Sequence, residues 1–203
     1  LGSLLLMAGQ AAMAPPWLVL TGRGMVQQGF LLSIVMGVGG FMAPRLMGHA
    51  ISLAPLESGR IARVRRRRIM AHLAAGTVFF LTFWIEGFGA GRPVLLLRAA
   101  VVTAELMWTA RCGRLPRVRD LYVWFVWVSL WMTLIGLWGA GLWFRYRVAM
   151  LHLVLVGGFS LMTFAVGTMV VFSHASVGPR LHGPLPGLRL TAAGVLTALA
   201  ARV

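Results

Sequence analysis

The sequence predicts an all-α protein, a polytopic bundle of transmembrane helices with five full spans and a partial span at each end. Three observations predict it. Of the 203 residues, 59% are hydrophobic and only 11% are charged, against about 25% charged in soluble domains. Mean hydropathy is +0.85. The apolar runs are continuous over about 20 residues and lack a two-residue alternation, which selects helices over a barrel.

The elements follow in chain order. Leu1 to Met13 reads as the tail of a span, ended by Pro15 and Pro16. Met25 to Ala43 is the first full span, ended by Pro44. His72 to Gly89 and Pro93 to Arg111 form a tight hairpin through Gly87, Gly89 and Gly91. Leu121 to Ala140 and Val148 to Phe172 are the next two spans, and Gly187 to Ala201 begins a last one. Because the chain opens on Leu1 and both ends are apolar, it reads as an internal or C-terminal piece of a longer membrane protein. The whole is one helical domain.

Charge sets the orientation. The 19 basic residues are all Arg, against four acidic ones, for a net charge of +15. Arg45, Arg60, Arg63 and Arg65 to Arg68 lie between the first two full spans, and Arg111, Arg114, Arg117 and Arg119 lie two spans later. The intervening turns hold only Arg92 in one, and Arg145 and Arg147 in the other. This alternation places the Arg-rich segments in the cytoplasm. Arginines distributed between apolar runs do not make a nucleic-acid surface. The run Arg63 to Arg68 is a topology determinant or a lipid-binding patch. Cys112 is alone, so no internal disulfide forms.

Two histidines bracket an apolar stretch. His152 and His174 are 22 residues apart, which on a regular α-helix leaves them about 40° apart in azimuth and about 33 Å apart along the axis. They share a face but cannot share a metal ion. Neutral imidazole is a good haem or copper ligand, so each is a candidate for its own site near one membrane surface. Ser160, Thr163 and Gly167 lie on nearly the same stripe, leaving room for a flat macrocycle or for a neighbouring helix. Gly29, Ser33, Gly37 and Gly40 form a comparable small-residue ridge on the first full span. Trp17, Trp108, Trp124 and Trp143 sit at span ends, as interfacial anchors do.

Other ionisable residues lie in the hairpin. His72 opens its first helix, with Glu86 near the outer end of the same helix. Arg98 and Glu105 share a face of the second at a spacing of seven. Glu86 comes to the depth of Arg92 or, less well, Arg98. An ion pair that locks the hairpin is one reading, and a proton route through Glu86 and Glu105 is the other. His49 and His182 read as solvated loop residues. Phosphate-binding loops, H-E-x-x-H, paired cysteines and G-x-S-x-G elbows are absent from the sequence.

Met150-Leu151-His152-Leu153, Gly157, Gly158, Met162, Gly167 and Ser173-His174-Ala175-Ser176 together resemble the late histidine-bearing helix of the NnrS family, L-H-x-L-x-x-G-x-x-x-x-M followed by G-H-T-G-R-P. Ser173 and the run Ser176 to Arg180 depart from that ending. Gln28 to Leu32, Gly37 to Phe41 and Pro44 to Gly48 are similar to another segment of the family. The resemblance covers most of the chain, as the second half of a protein of about twelve spans. It implies a haem- and copper-containing protein of the bacterial cytoplasmic membrane, associated with denitrification and nitric oxide tolerance. It also implies that His152 and His174 are metal or haem ligands, with His72 a further metal candidate from its position. A metal-free transporter, with Glu86, Arg98 and Glu105 along its path, and a membrane scaffold subunit are the alternatives.

Overall fold

The computed structural model describes residues 1–9, 15–49, 58–175, 183 and 185–201. Every regular element among them is helical. We number the helices α1 (Gly2–Gly9), α2 (Pro16–Leu46), α3 (Ser58–Gly87), α4 (Gly91–Ala110), α5 (Leu121–Leu142), α6 (Phe144–His174) and α7 (Pro186–Ala200). Five of these, α2 to α6, are long and apolar enough to cross a membrane, α3 through its segment Ile69–Gly87.

Helix α2 starts earlier and ends later than the sequence suggests. Pro16 occupies its first turn, where the missing N–H costs nothing. The helix then runs through a π-helical segment, Met25–Gly29. Pro44 lies inside the helix instead of ending it. A proline removes only its own donor, and helices in lipid tolerate that loss. The stop comes at Gly48, whose φ of +73° suits a residue without a Cβ. Gly48 N donates to Arg45 O and His49 N to Pro44 O, the paired bonds of a Schellman cap.

Helix α3 extends well below its apolar part. From Ser58 onward the Arg-rich run is helix, not loop, and Arg66 and Arg67 are exposed on it. The hairpin into α4 turns on Gly89, at φ +100°. Arg92 does not pair with Glu86; it donates from Nε to Gly141 O at 3.2 Å, closing an open carbonyl at the C-terminal end of α5.

Helix α5 is central, packed against α2, α4 and α6. Small residues set the close approach of α5 to α6. A Cβ on Gly136 would stand 2.7 Å from Met150 O, and one on Gly158 would overlap Thr133 Oγ1. Backbones that touch in this way gain dispersion contact that lipid cannot supply. The interior joins Leu32, Val35, Phe79, Phe83, Leu106, Leu130 and Leu137. Val78 and Ile85, seven residues apart on α3, stand exposed, as side chains turned to lipid do.

Helix α6 is not one regular α-helix. A 3₁₀ turn, Phe144–Tyr146, leads into Arg147–His152, then a π-helical stretch, Leu153–Ser160, and α-helix again over Leu161–His174. Wider turns advance the azimuth by less per residue. The 3.6-residue phase that put His152 and His174 on one face therefore does not carry across the segment between them.

Candidate functional site

The ionisable residues of the hairpin come together in two places. On α4, Val94, Leu95, Arg98, Ala99, Val102 and Glu105 are buried at spacings of three and four, so two charged groups sit on the stripe turned to the interior. Arg98 is completely buried. Its Nη2 donates to Glu86 Oε2 at 2.6 Å, its Nη1 to Gln28 Oε1 at 2.9 Å and its Nε to Thr82 Oγ1 at 3.0 Å. Its guanidinium carbon lies 3.7 Å from the centre of the Phe83 ring. Glu86 thus pairs with Arg98, the less favoured by depth of the two arginines the sequence offers it, because the long Arg stem reaches along the helix.

Nearer the other end, Glu105 is buried, at 2% exposure, and its carboxylate meets Nδ1 of His72, whose side chain is half-exposed. No spacing in the sequence pairs these two residues. Gln28 and Thr82 also escape a sequence reading, although a glutamine inside an apolar run is itself a signal of an interior polar contact. Gln28 belongs to the first π-helical segment, and Glu105 immediately precedes a second one, Leu106–Ala110. Such local widenings turn side chains away from the regular phase and recur at functional sites.

His72 also lines a groove of about 520 Å³ between α2 and α3, within the ~300–1,000 Å³ range of ligand pockets. Ser33 and Gly37 border it from α2, and Gly76, Phe80 and Trp84 from α3. A Cβ added at Gly37 or at Gly76 would meet nothing within 4 Å, so both glycines border open space.

His174 ends α6, His152 lies in its first third, and both stay apart from the hairpin residues in sequence and in hydrogen bonding. Nδ1 of His152 bonds Val148 O at 2.8 Å, and Nδ1 of His174 bonds Val170 O at 2.9 Å. A carbonyl only accepts, so Nδ1 is the donating nitrogen in both rings, and these bonds leave Nε2 unused. His49 is not solvated: it is buried, and its Nε2 donates to Leu115 O at 2.9 Å. The Schellman turn at Gly48 carries it inward. His182 and the run Ser176 to Arg180 lie outside the described residues.

Among the described residues, no three of His, Cys, Asp and Glu gather as a cage for a metal ion. A bare copper ion asks for several such donors. Haem brings four nitrogens and asks the protein for one or two axial ligands, so single, well-oriented imidazoles suit haem better. The chain matches no protein family, and neither the curated proteins nor the solved structures provide a relative.

Proposed function

We propose that the chain is part of a haem-binding, copper-associated protein of the bacterial cytoplasmic membrane that serves the nitric oxide response. The observation that carries the haem reading is the state of three imidazoles. In His72, His152 and His174, Nδ1 is engaged by an acceptor and Nε2 is left to bind. In His72 the acceptor is a buried carboxylate, and ligating histidines characteristically donate their second ring N–H to such a group. Haem bound at one of them would supply an iron site open to nitric oxide. The helices hold the ring and fix which of its nitrogens donates. The nitric oxide role and copper rest on the resemblance of the His152 and His174 segments to the NnrS family.

Purified protein, in its longest natural form, is expected to show a Soret band and to contain iron. Replacing the ligating histidine by Ala is expected to shift or remove the band. A colourless protein free of iron and copper overturns the proposal.

The buried Arg98 array favours a second reading. Gln28, Thr82, Glu86 and Arg98 join α2, α3 and α4 inside the membrane, where polar groups commonly mark an ion or substrate path. A metal-free transporter would retain this array without iron. Metal analysis therefore separates the two readings.

A further inference from the structure

Resting on the haem proposal, we infer that the groove between α2 and α3 seats the macrocycle, with His72 as its axial donor and Arg66 facing its carboxylates. Three features converge there. The groove is lined mainly by apolar and aromatic side chains and lies along the apolar part of α3. Its walls are flattened where Gly37 and Gly76 carry no side chain, and the space in front of both is open. Among the described residues, the imidazole on its wall is that of His72, held through Nδ1 by the buried Glu105, so its Nε2 is the nitrogen left to a ligand.

Charge places the polar edge of that ligand. Arg66 is exposed and precedes Leu73, a groove residue, by seven positions. Seven residues of helix bring it back to within about 20° of the Leu73 azimuth and about 10 Å nearer the Arg-rich end. A flat lipophilic body in the groove with its carboxylates toward Arg66 follows the gradient from apolar wall to cationic rim. His152 and His174 have no comparable arrangement: each is oriented by a carbonyl of its own helix, and neither lines this groove.

The test uses the full natural protein, purified with its cofactor. His72→Ala and Gly76→Leu are expected to lose the Soret band and the iron together, with helical circular dichroism unchanged. Added imidazole is expected to restore the band in His72→Ala but not in Gly76→Leu, where the groove is filled. Glu105→Gln, acting through His72, is expected to weaken haem retention about tenfold and to shift the band. If His72→Ala and Gly76→Leu keep the native spectrum and iron content while His152→Ala or His174→Ala loses them, this seat is wrong and the haem proposal stands. If the unaltered protein holds no haem, both fall.

Discussion

Arg98 and Glu86 meet at 2.6 Å across the α3–α4 hairpin, with the arginine side chain fully enclosed and the glutamate about a quarter exposed. The pair is held from three sides, because Gln28 and Thr82 take the other guanidinium nitrogens and Phe83 stacks beneath it. Little of the cation remains without a partner. A buried charge is costly chiefly when one partner is removed.

Removing one partner is therefore expected to hurt more than removing both. Glu86→Ala should destabilise the bundle by about 3 kcal/mol, since it leaves the Arg98 charge uncompensated. Glu86→Gln, which keeps an acceptor, should cost less. The double change Arg98→Leu with Glu86→Leu should recover much of the loss, because lipid-like packing replaces both charges. Unfolding titrations in detergent micelles measure all three. A double variant as unstable as Glu86→Ala would show that the pair itself holds the hairpin.

The helix contacts predict opposite outcomes for two glycines. A Cβ on Gly136 would stand 2.6 Å from Val154 Cγ2 and 3.0 Å from Val154 N, as well as crowding Met150 O. Backbone cannot step aside as a flexible side chain can. Gly136→Ala should force α5 and α6 apart at a cost of about 2 kcal/mol. Gly37→Ala meets no protein neighbour and, in the haem-free protein, should gain up to about 1 kcal/mol of helix propensity. Equal melting temperatures for the two variants would contradict this packing.

These cases show how far the sequence could be read. The five spans were legible because hydropathy over 20 residues is a local sum. Arg98, Glu86 and Glu105 stood out because charge is rare in such runs. Their pairing was not legible, since it depends on register and on side-chain reach. Depth favoured Arg92 for Glu86, yet Arg92 serves the end of α5. The His72–Glu105 contact joins residues 33 apart in sequence through helices whose relative rotation no periodicity reveals. The π-helical segments escaped for a related reason: a fixed 3.6-residue phase is assumed in any helical projection, and Leu153–Ser160 does not obey it. Pro44 misled because a stop signal in water is weaker in a membrane helix.

Cys112 gives a pH-dependent prediction. Its thiol is buried beside Met107, with sulfur to sulfur at 3.6 Å. Desolvation disfavours the thiolate and raises its pKa to about 11, although nearby backbone N–H groups oppose the shift. Alkylation of the folded protein by a small neutral maleimide should stay slow through pH 9 and rise only toward pH 11. The neutral thiol is the form the fold prefers. Its contribution to stability is thus fully present below the unfolded-state value, near 8.5, and is lost as pH climbs toward 11. Labelling that saturates by pH 9 would contradict this environment.

The last prediction concerns sidedness, which three contacts constrain. Arg111 Nη1 donates to His49 O at 3.1 Å, Arg117 N donates to Met47 O at 3.0 Å, and His49 Nε2 donates to Leu115 O at 2.9 Å. The segment after α2 and the segment after α4 are therefore bound to each other at one end of the bundle. The 3₁₀ turn with Arg145 lies at the other end, where Phe144 crowds Gly91 at the start of α4. By the positive-inside rule the Arg-rich end belongs in the cytoplasm. In a Cys112→Ala background, Arg114→Cys should react with a membrane-impermeant thiol reagent only in inverted vesicles, and Arg145→Cys only in right-side-out ones. Reaction of both from the same side would break the bundle topology, whereas a clean reversal of the two would keep the topology and turn the protein over.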